Sequence, residues 1–155
     1  MEEALRTLVT FESTSFNTSE SKSYFLNPDC FGDDLALWLI DQLRAANCQA
    51  GSAPSQEDFG WYVAFEAAGL QHTLVIAFRP GGNGMNGTWI CWLERDRNFV
   101  GSILGLRSKG ISRKAVEALH SVLVRSSGIT NVRWHSKQVF DNGNDHAGAA
   151  QPFDA

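Results

Sequence analysis

The sequence lacks the features that mark exported and membrane proteins. Its longest uninterrupted apolar run covers only residues 35–40, whereas a membrane-spanning helix needs roughly 20 such residues. It begins with MEEA, which is acidic where a secretory leader would be basic and then apolar. Cys30, Cys48 and Cys91 form an odd set, and exported disulfide frameworks usually have an even one. These absences predict a cytoplasmic protein with no membrane segment.

Motifs for metals and cofactors are missing as well. The four histidines show no His-x-x-x-His spacing, and there is no Cys-x-x-Cys pair, so no metal site is predicted. Residues 82–87, GNGMNG, match G-x-G-x-x-G letter for letter. A dinucleotide loop leads from a strand into a helix, however, and here the strand-like segment TWICW follows. We therefore interpret residues 80–87 as a hairpin loop and predict no cofactor.

The composition that is present fits a globular domain. With 155 residues, of which 43% are hydrophobic and 11% aromatic, the chain can bury a core without disulfides or metals. We predict a single α+β domain over residues 1–140. Residues 141–155, which start DNGNDHAG, are predicted to form a flexible C-terminal tail.

Hydrophobic periodicity predicts the secondary structure. Apolar residues alternate over five segments, which we predict to be strands: residues 5–11, 61–66, 72–79, 88–94 and 129–134. A first helix is predicted from Asn27 as its cap, with Pro28 in the first helical position, to about Asn47. A second helix is predicted to begin at Ser112 and to stop before Gly128.

These elements follow one another in the order β-α-β-β-β-α-β. The turn-rich connections at residues 67–70 and 80–87 favour an antiparallel meander. Both faces of segment 88–94 are apolar, which indicates a central strand or one covered on both sides. We therefore predict an α+β fold with a mostly antiparallel sheet and two helices packed on one face.

One part of the chain resembles known sequences. The helical segment DDLALWL at residues 33–39 is followed by EDFGW at residues 57–61. This pattern is similar to one in small uncharacterised bacterial proteins, where a capped helix precedes an E-D-aromatic-G-W segment. The resemblance covers residues 30–66 and implies a bacterial source, but no particular activity.

Two features are candidates for catalysis. Cys30 would lie in the first turn of the predicted first helix, where the helix dipole lowers the pKa of a thiol. Neighbouring aspartates would oppose a thiolate there, and a small buried cysteine is the alternative interpretation. The adjacent Glu57 and Asp58 could supply an acid and a base, with a solvated loop as the alternative. A small enzyme using either feature is one hypothesis, although the sequence leans against catalysis.

The net charge of −4 is divided unevenly along the chain. Residues 1–66 contain 11 acidic and 3 basic side chains, and residues 79–137 contain 10 basic and 3 acidic ones. The overall acidity argues against general nucleic-acid binding, but the basic segment 95–114 could bind an anion or a nucleic acid locally. Its candidate residues are Arg95, Arg97, Arg107, Lys109, Arg113 and Lys114. Ordinary solvated faces are the alternative.

Protein binding is the remaining hypothesis. The partner-binding candidates are Glu57, Asp58, Trp61 and Trp92. Two carboxylates beside a tryptophan are typical of protein interfaces, although Trp61 shares a strand face with apolar neighbours, which favours a core role. Trp92 faces away from Trp89. It is either covered by residues 99–106 or offered to a partner.

The sequence therefore favours a small, non-catalytic, bacterial protein-binding module, such as an immunity-, inhibitor- or chaperone-like adaptor. A small enzyme and an anion or nucleic-acid binder stay open as alternatives. Neither the identity of the partner nor the oligomeric state follows from the sequence.

Overall fold

A sheet and three helices make up the part of the chain that the computed structural model describes, which is residues 5–57, 60–82, 86–95, 110–144 and 148–154. In chain order the elements are β1 (Leu8–Glu12), α1 (Asp33–Ala45), β2 (Gln49–Ala50), β3 (Ser55–Glu57), β4 (Gly60–Ala67), β5 (Leu70–Arg79), β6 (Thr88–Arg95), α2 (Arg113–Arg125), β7 (Thr130–His135) and α3 (Lys137–Asp141).

The strands form one antiparallel sheet. Their order is β2-β4-β5-β6-β1-β7, and β3 also pairs with β4. The meander predicted from the turn-rich connections is β4-β5-β6, with Trp61 opposite Ile76 and Ile76 opposite Cys91. The central position predicted for segment 88–94 is confirmed, because β6 lies between β5 and β1. The predicted α+β class and mostly antiparallel sheet are therefore confirmed.

The main core lies on the face of the sheet that carries α1 and α2, which we call the helix face. Leu35, Leu39 and Leu43 of α1 belong to the same buried cluster as the inward row of α2. Both helices contact β4 and each other, which confirms the prediction that two helices pack on one face. Burying a leucine side chain contributes roughly 1.5–3 kcal/mol, so this layer supplies much of the folding free energy.

The opposite side of the sheet, which we call the far face, is also partly apolar. Leu8, Val75 and Ile90 are buried there, while Thr10 and Trp92 are half-buried. The alternation of side chains along β6 sends Trp89 to the helix face and Trp92 to the far face, as the sequence predicts.

The predicted start of the first helix is wrong. The Asn27 side chain caps only a turn, in which its Oδ1 accepts a hydrogen bond from the Asp29 amide at 3.1 Å and its carbonyl accepts one from the Cys30 amide at 3.1 Å. The helix begins at Asp33 because Gly32, with φ of 135°, interrupts the backbone before it. Cys30 therefore precedes the helix and does not lie in its first turn.

Gly32 also brings the start of α1 directly onto the sheet. A Cβ atom at this position would lie 3.1 Å from Trp61 Cδ1, 3.2 Å from Ile76 Cγ2 and 3.5 Å from Trp89 Cζ3. Only a residue without a side chain allows both this contact and the positive φ.

The second helix begins as predicted. Ser112 is its N-cap, and the Ser112 hydroxyl accepts a hydrogen bond from the Ala115 amide at 3.1 Å. No helix in the described part of the chain is both long and apolar enough to cross a bilayer.

The C-terminal segment is held to the sheet where the structure describes it. Ala149 and Trp134 exchange two backbone hydrogen bonds, of 2.6 and 2.8 Å, and the Arg6 amide donates to the Pro152 carbonyl at 2.8 Å. The division of the chain at residue 140 and the flexibility of residues 141–155 stay predictions.

Replacing Gly32 tests this account of the packing. Gly32→Ala should lower the free energy of unfolding by about 3 kcal/mol, because it adds a methyl group to a filled contact and forces an L residue to a positive φ. Denaturant unfolding followed by tryptophan fluorescence measures the change. Gly69→Ala is the matched control, since φ there is 74° and an added Cβ meets nothing within 4 Å, so it should cost only about 1 kcal/mol. Equal losses in the two variants would contradict the packing argument.

Candidate functional site

The loop before α1 is fixed by one glutamine from β3. Gln56 Oε1 accepts a hydrogen bond from the Leu26 amide at 2.6 Å. Its Nε2 donates to the carbonyl of Asn27 at 3.3 Å and to that of Cys30 at 3.4 Å. A single side chain thus holds three backbone positions of the loop, which restricts the conformations that the loop can adopt.

Trp61 supports the same loop from the helix face of the sheet. Its side chain is 5% exposed, and its Nε1 donates a hydrogen bond to the Cys30 carbonyl at 2.8 Å. The ring of Phe25 packs edge-on against it with centroids 5.4 Å apart. The structure therefore places Trp61 in the core, beneath the loop, where it has little surface to offer to another molecule.

Two apolar side chains project from the loop into solvent. Tyr24 is 61% exposed and Leu26 is 76% exposed, whereas Phe25 between them is buried. We call Tyr24 and Leu26 the loop patch. The Tyr24 hydroxyl donates a hydrogen bond to the buried carboxylate of Asp33, and this bond, more than burial, raises the pKa of Tyr24.

The loop that carries the loop patch also carries exposed charged side chains. Glu20 and Asp29 are exposed in the same loop, and Lys22 pairs with Glu20 at 3.4 Å. Glu57 ends β3, opposite Gly60, whereas Asp58 lies outside the described residues. The roles of Glu57 and Asp58 stay predictions, and the sequence did not single out Tyr24, Leu26 or Gln56. Tyr24 and Leu26 could have been found from the apolar triplet YFL, which stands within a polar loop.

Cys30 has a weaker case for catalysis than the sequence suggested. Its thiol is buried, and burial raises its pKa more strongly than a hydrogen bond with Gln56 lowers it. The lowering that a helix N-terminus would provide is missing, because α1 begins at Asp33. Cys48 and Cys91 are also buried free thiols, and burial raises the pKa of each.

Arg95 has a structural connection to the start of α2. It lies opposite His72 in the sheet, and its guanidinium donates to the Gly110 carbonyl at 3.1 Å. His72 Nε2 accepts a hydrogen bond from the Ser112 amide at 3.1 Å, which leaves Nδ1 to donate to the Leu70 carbonyl at 2.9 Å. Burial lowers the pKa of His72, consistent with this neutral form.

Within the described residues, the other basic candidates do not form a groove together with Arg95. Arg113 pairs with Glu117 at 3.0 Å and stacks over the ring of Phe153 at 3.8 Å. Lys114 is exposed on the first turn of α2. Arg97, Arg107 and Lys109 lie outside the described residues.

Trp92 and Trp61 lie on opposite faces of the sheet. Trp92 is half-buried on the far face, where its Nε1 donates to Glu94 at 3.3 Å and the Lys137 ammonium lies 5.2 Å from its ring centroid. Residues 99–106, which were one predicted cover for the Trp92 side chain, are outside the described residues. In the pairing of β3 with β4, Glu57 lies opposite Gly60 and Trp61 lies opposite Gln56. Trp92 lies on β6, which β5 separates from β4.

Within the described residues no three metal-ligating side chains gather closely enough to hold an ion. Comparisons with protein-family models, with curated proteins and with solved structures found no match to this chain.

The reactivity of the thiols tests the catalytic hypothesis. In a Cys48→Ala/Cys91→Ala variant, Cys30 should react slowly with a maleimide at pH 7, because its raised pKa leaves little thiolate at neutral pH. The reaction should become faster only when the pH exceeds the pKa of an ordinary thiol. Labelling followed by mass spectrometry measures the rate, with the denatured variant as the control for full reactivity. Rapid labelling of the native protein at about pH 6 would revive a nucleophilic Cys30.

Proposed function

We propose that this chain is a small non-catalytic module that binds a basic surface of another protein through the loop patch. The observation that carries the proposal is the exposure of Tyr24 and Leu26 on a loop whose backbone is fixed by Gln56 and Trp61. Large apolar side chains on a fixed backbone offer contact area of the kind that interface anchors supply.

The fixed backbone supports binding because it lowers the entropy lost on association. Ordering a mobile loop opposes binding, and a loop that is already ordered avoids that loss. The bond from Tyr24 to Asp33 restrains the aromatic side chain as well. A tyrosine ring offers a large contact area with few rotatable bonds, so the loop patch has the properties of an interface anchor.

The charge of the surroundings supports a basic partner. Glu20 and Asp29 are exposed in the same loop as the loop patch, and Glu57, the last residue of β3, is followed by Asp58 in the sequence. Carboxylates around an apolar anchor accelerate association with a cationic surface and disfavour an acidic one. This arrangement favours a partner whose contact surface is rich in lysine or arginine.

We infer that the chain acts in the bacterial cytoplasm as an adaptor of the immunity, inhibitor or chaperone kind. The three free cysteines support a reducing compartment. A small enzyme using Cys30 or the Glu57/Asp58 pair is a weaker proposal, because the pKa of Cys30 is raised. A nucleic-acid binder using the basic segment is weaker too, because Arg95 and Arg113 make contacts within the chain.

A single substitution in the loop patch tests the proposal. Leu26→Ser should change the free energy of unfolding by less than about 0.5 kcal/mol, because the side chain is mostly in solvent. It should weaken binding to the partner at least about tenfold, as loss of an interface anchor does. The partner is obtained by capture on the immobilised wild-type chain from the source organism and is then purified, and its dissociation constant is measured by calorimetry at low and high salt.

Val124→Ser is the matched control, since Val124 is 52% exposed on α2. The proposal requires a basic protein whose purified form binds wild type and Val124→Ser equally, binds Leu26→Ser more weakly, and is weakened by salt. A captured protein that binds all three chains with one affinity would overturn it, and so would the absence of any retained protein.

A further inference from the structure

A second site lies on the far face of the sheet, away from the loop patch. Here β1, β5, β6, β7 and α3 surround a cavity of about 330 Å³, which falls at the small end of the range for metabolite pockets. The side chains that give it its chemistry are Thr10, Arg79, Thr88, Arg133, His135 and Phe140. We call this cavity the sheet pocket.

The pairing of the strands sets two arginines on either side of two threonines. Arg79 lies opposite Thr88 between β5 and β6, and Thr10 lies opposite Arg133 between β1 and β7. Because β6 and β1 separate the two arginines and the register displaces Arg79 by two residues along the strands, their Cα atoms are roughly 16 Å apart at the usual spacings. Both side chains are long enough to approach a ligand lying over the threonines.

Aromatic contacts orient the walls of the sheet pocket. The Arg79 guanidinium lies 5.5 Å from the ring centroid of Phe140, which restrains it on that side. The ring of Phe140 in turn meets His135 edge-on at 5.2 Å. His135 is buried, and its Nε2 shares a hydrogen bond with the Thr10 hydroxyl at 2.9 Å, so the position of that hydroxyl is fixed.

The charge balance of the sheet pocket is positive. Its lining contains two arginines and no carboxylate. Asn131 also lines the sheet pocket, and its Nδ2 donates a hydrogen bond of 3.0 Å to the Glu12 carboxylate on β1, so one acidic side chain borders the two arginines. On α3, Asp141 pairs with Lys137 at 2.5 Å.

Gly148 allows the C-terminal segment to close one side of the sheet pocket. A Cβ atom there would lie 2.7 Å from Arg133 Cβ and 2.8 Å from His135 Cε1, so a larger residue would displace the segment or both side chains. The bonds between Ala149 and Trp134 hold the segment at this distance.

We propose that the sheet pocket binds a small phosphate-bearing metabolite. Guanidinium groups bind phosphate oxygens through paired, charge-assisted hydrogen bonds, and the Thr88 hydroxyl can donate a further one. The size of the sheet pocket suits a small molecule. The site shares no residue with the loop patch and does not depend on the proposed protein binding.

Inorganic pyrophosphate is the probe for this site. Calorimetry at low ionic strength should show one pyrophosphate bound by the wild-type chain, and Arg79→Gln and Arg133→Gln should each weaken binding at least about tenfold, as removal of a charge-assisted contact does. Arg125→Gln is the matched control, because Arg125 is an exposed arginine of α2 outside the sheet pocket and its loss changes the net charge equally.

An NMR titration of the wild-type chain provides a second measurement that needs no variant. Pyrophosphate should shift the amide signals of Thr10, Thr88 and Arg133 and leave those of α2 unchanged. Three outcomes would overturn the proposal: no binding at millimolar pyrophosphate, equal weakening by Arg125→Gln, or citrate binding as tightly as pyrophosphate. The last would assign the sheet pocket to carboxylates.

Discussion

The start of α1 rests on the sheet at Gly32, and the positions of the helix and of the loop before it both follow from this contact. The absence of a side chain lets the backbone approach Trp61, Ile76 and Trp89 closely. Trp61 is then beneath the loop, where its Nε1 reaches the Cys30 carbonyl. Gln56 completes the support from β3. The geometry of the loop patch therefore depends on a backbone-to-sheet contact many residues away in the sequence.

The two faces of the sheet have different chemistry because successive side chains along each strand point to opposite faces. On the helix face the alternating residues build the apolar core, and Trp61 of this face supports the loop that carries the loop patch. On the far face the same strands place Arg79 and Arg133 around the sheet pocket. Both arginines come from the basic stretch of residues 79–137, which also supplies Arg113, Lys114 and Arg125 to α2.

Alternation of apolar residues was enough to predict the long strands and the class of the fold, and the Ser112 cap was enough to predict the start of α2. The short elements β2, β3 and α3 span too few residues to show a period. The start of α1 was missed because Asn27 and Pro28 are good local signals, but the tertiary contact of Gly32 decides where the helix begins. The role of Gln56 and the placement of Arg79 and Arg133 around one pocket could not be predicted, because both depend on strand register.

The central claim is that the loop patch is presented by an ordered backbone, and amide hydrogen exchange of the free protein tests it most directly. The Leu26 amide, bonded to Gln56, and the Cys30 amide, bonded to Asn27, should exchange much more slowly than in an unstructured chain. Gln56→Ala should remove the protection of Leu26 and leave that of β5 intact. Exchange of Leu26 in the wild type at the rate of an unstructured peptide, with the sheet still protected, would contradict the claim.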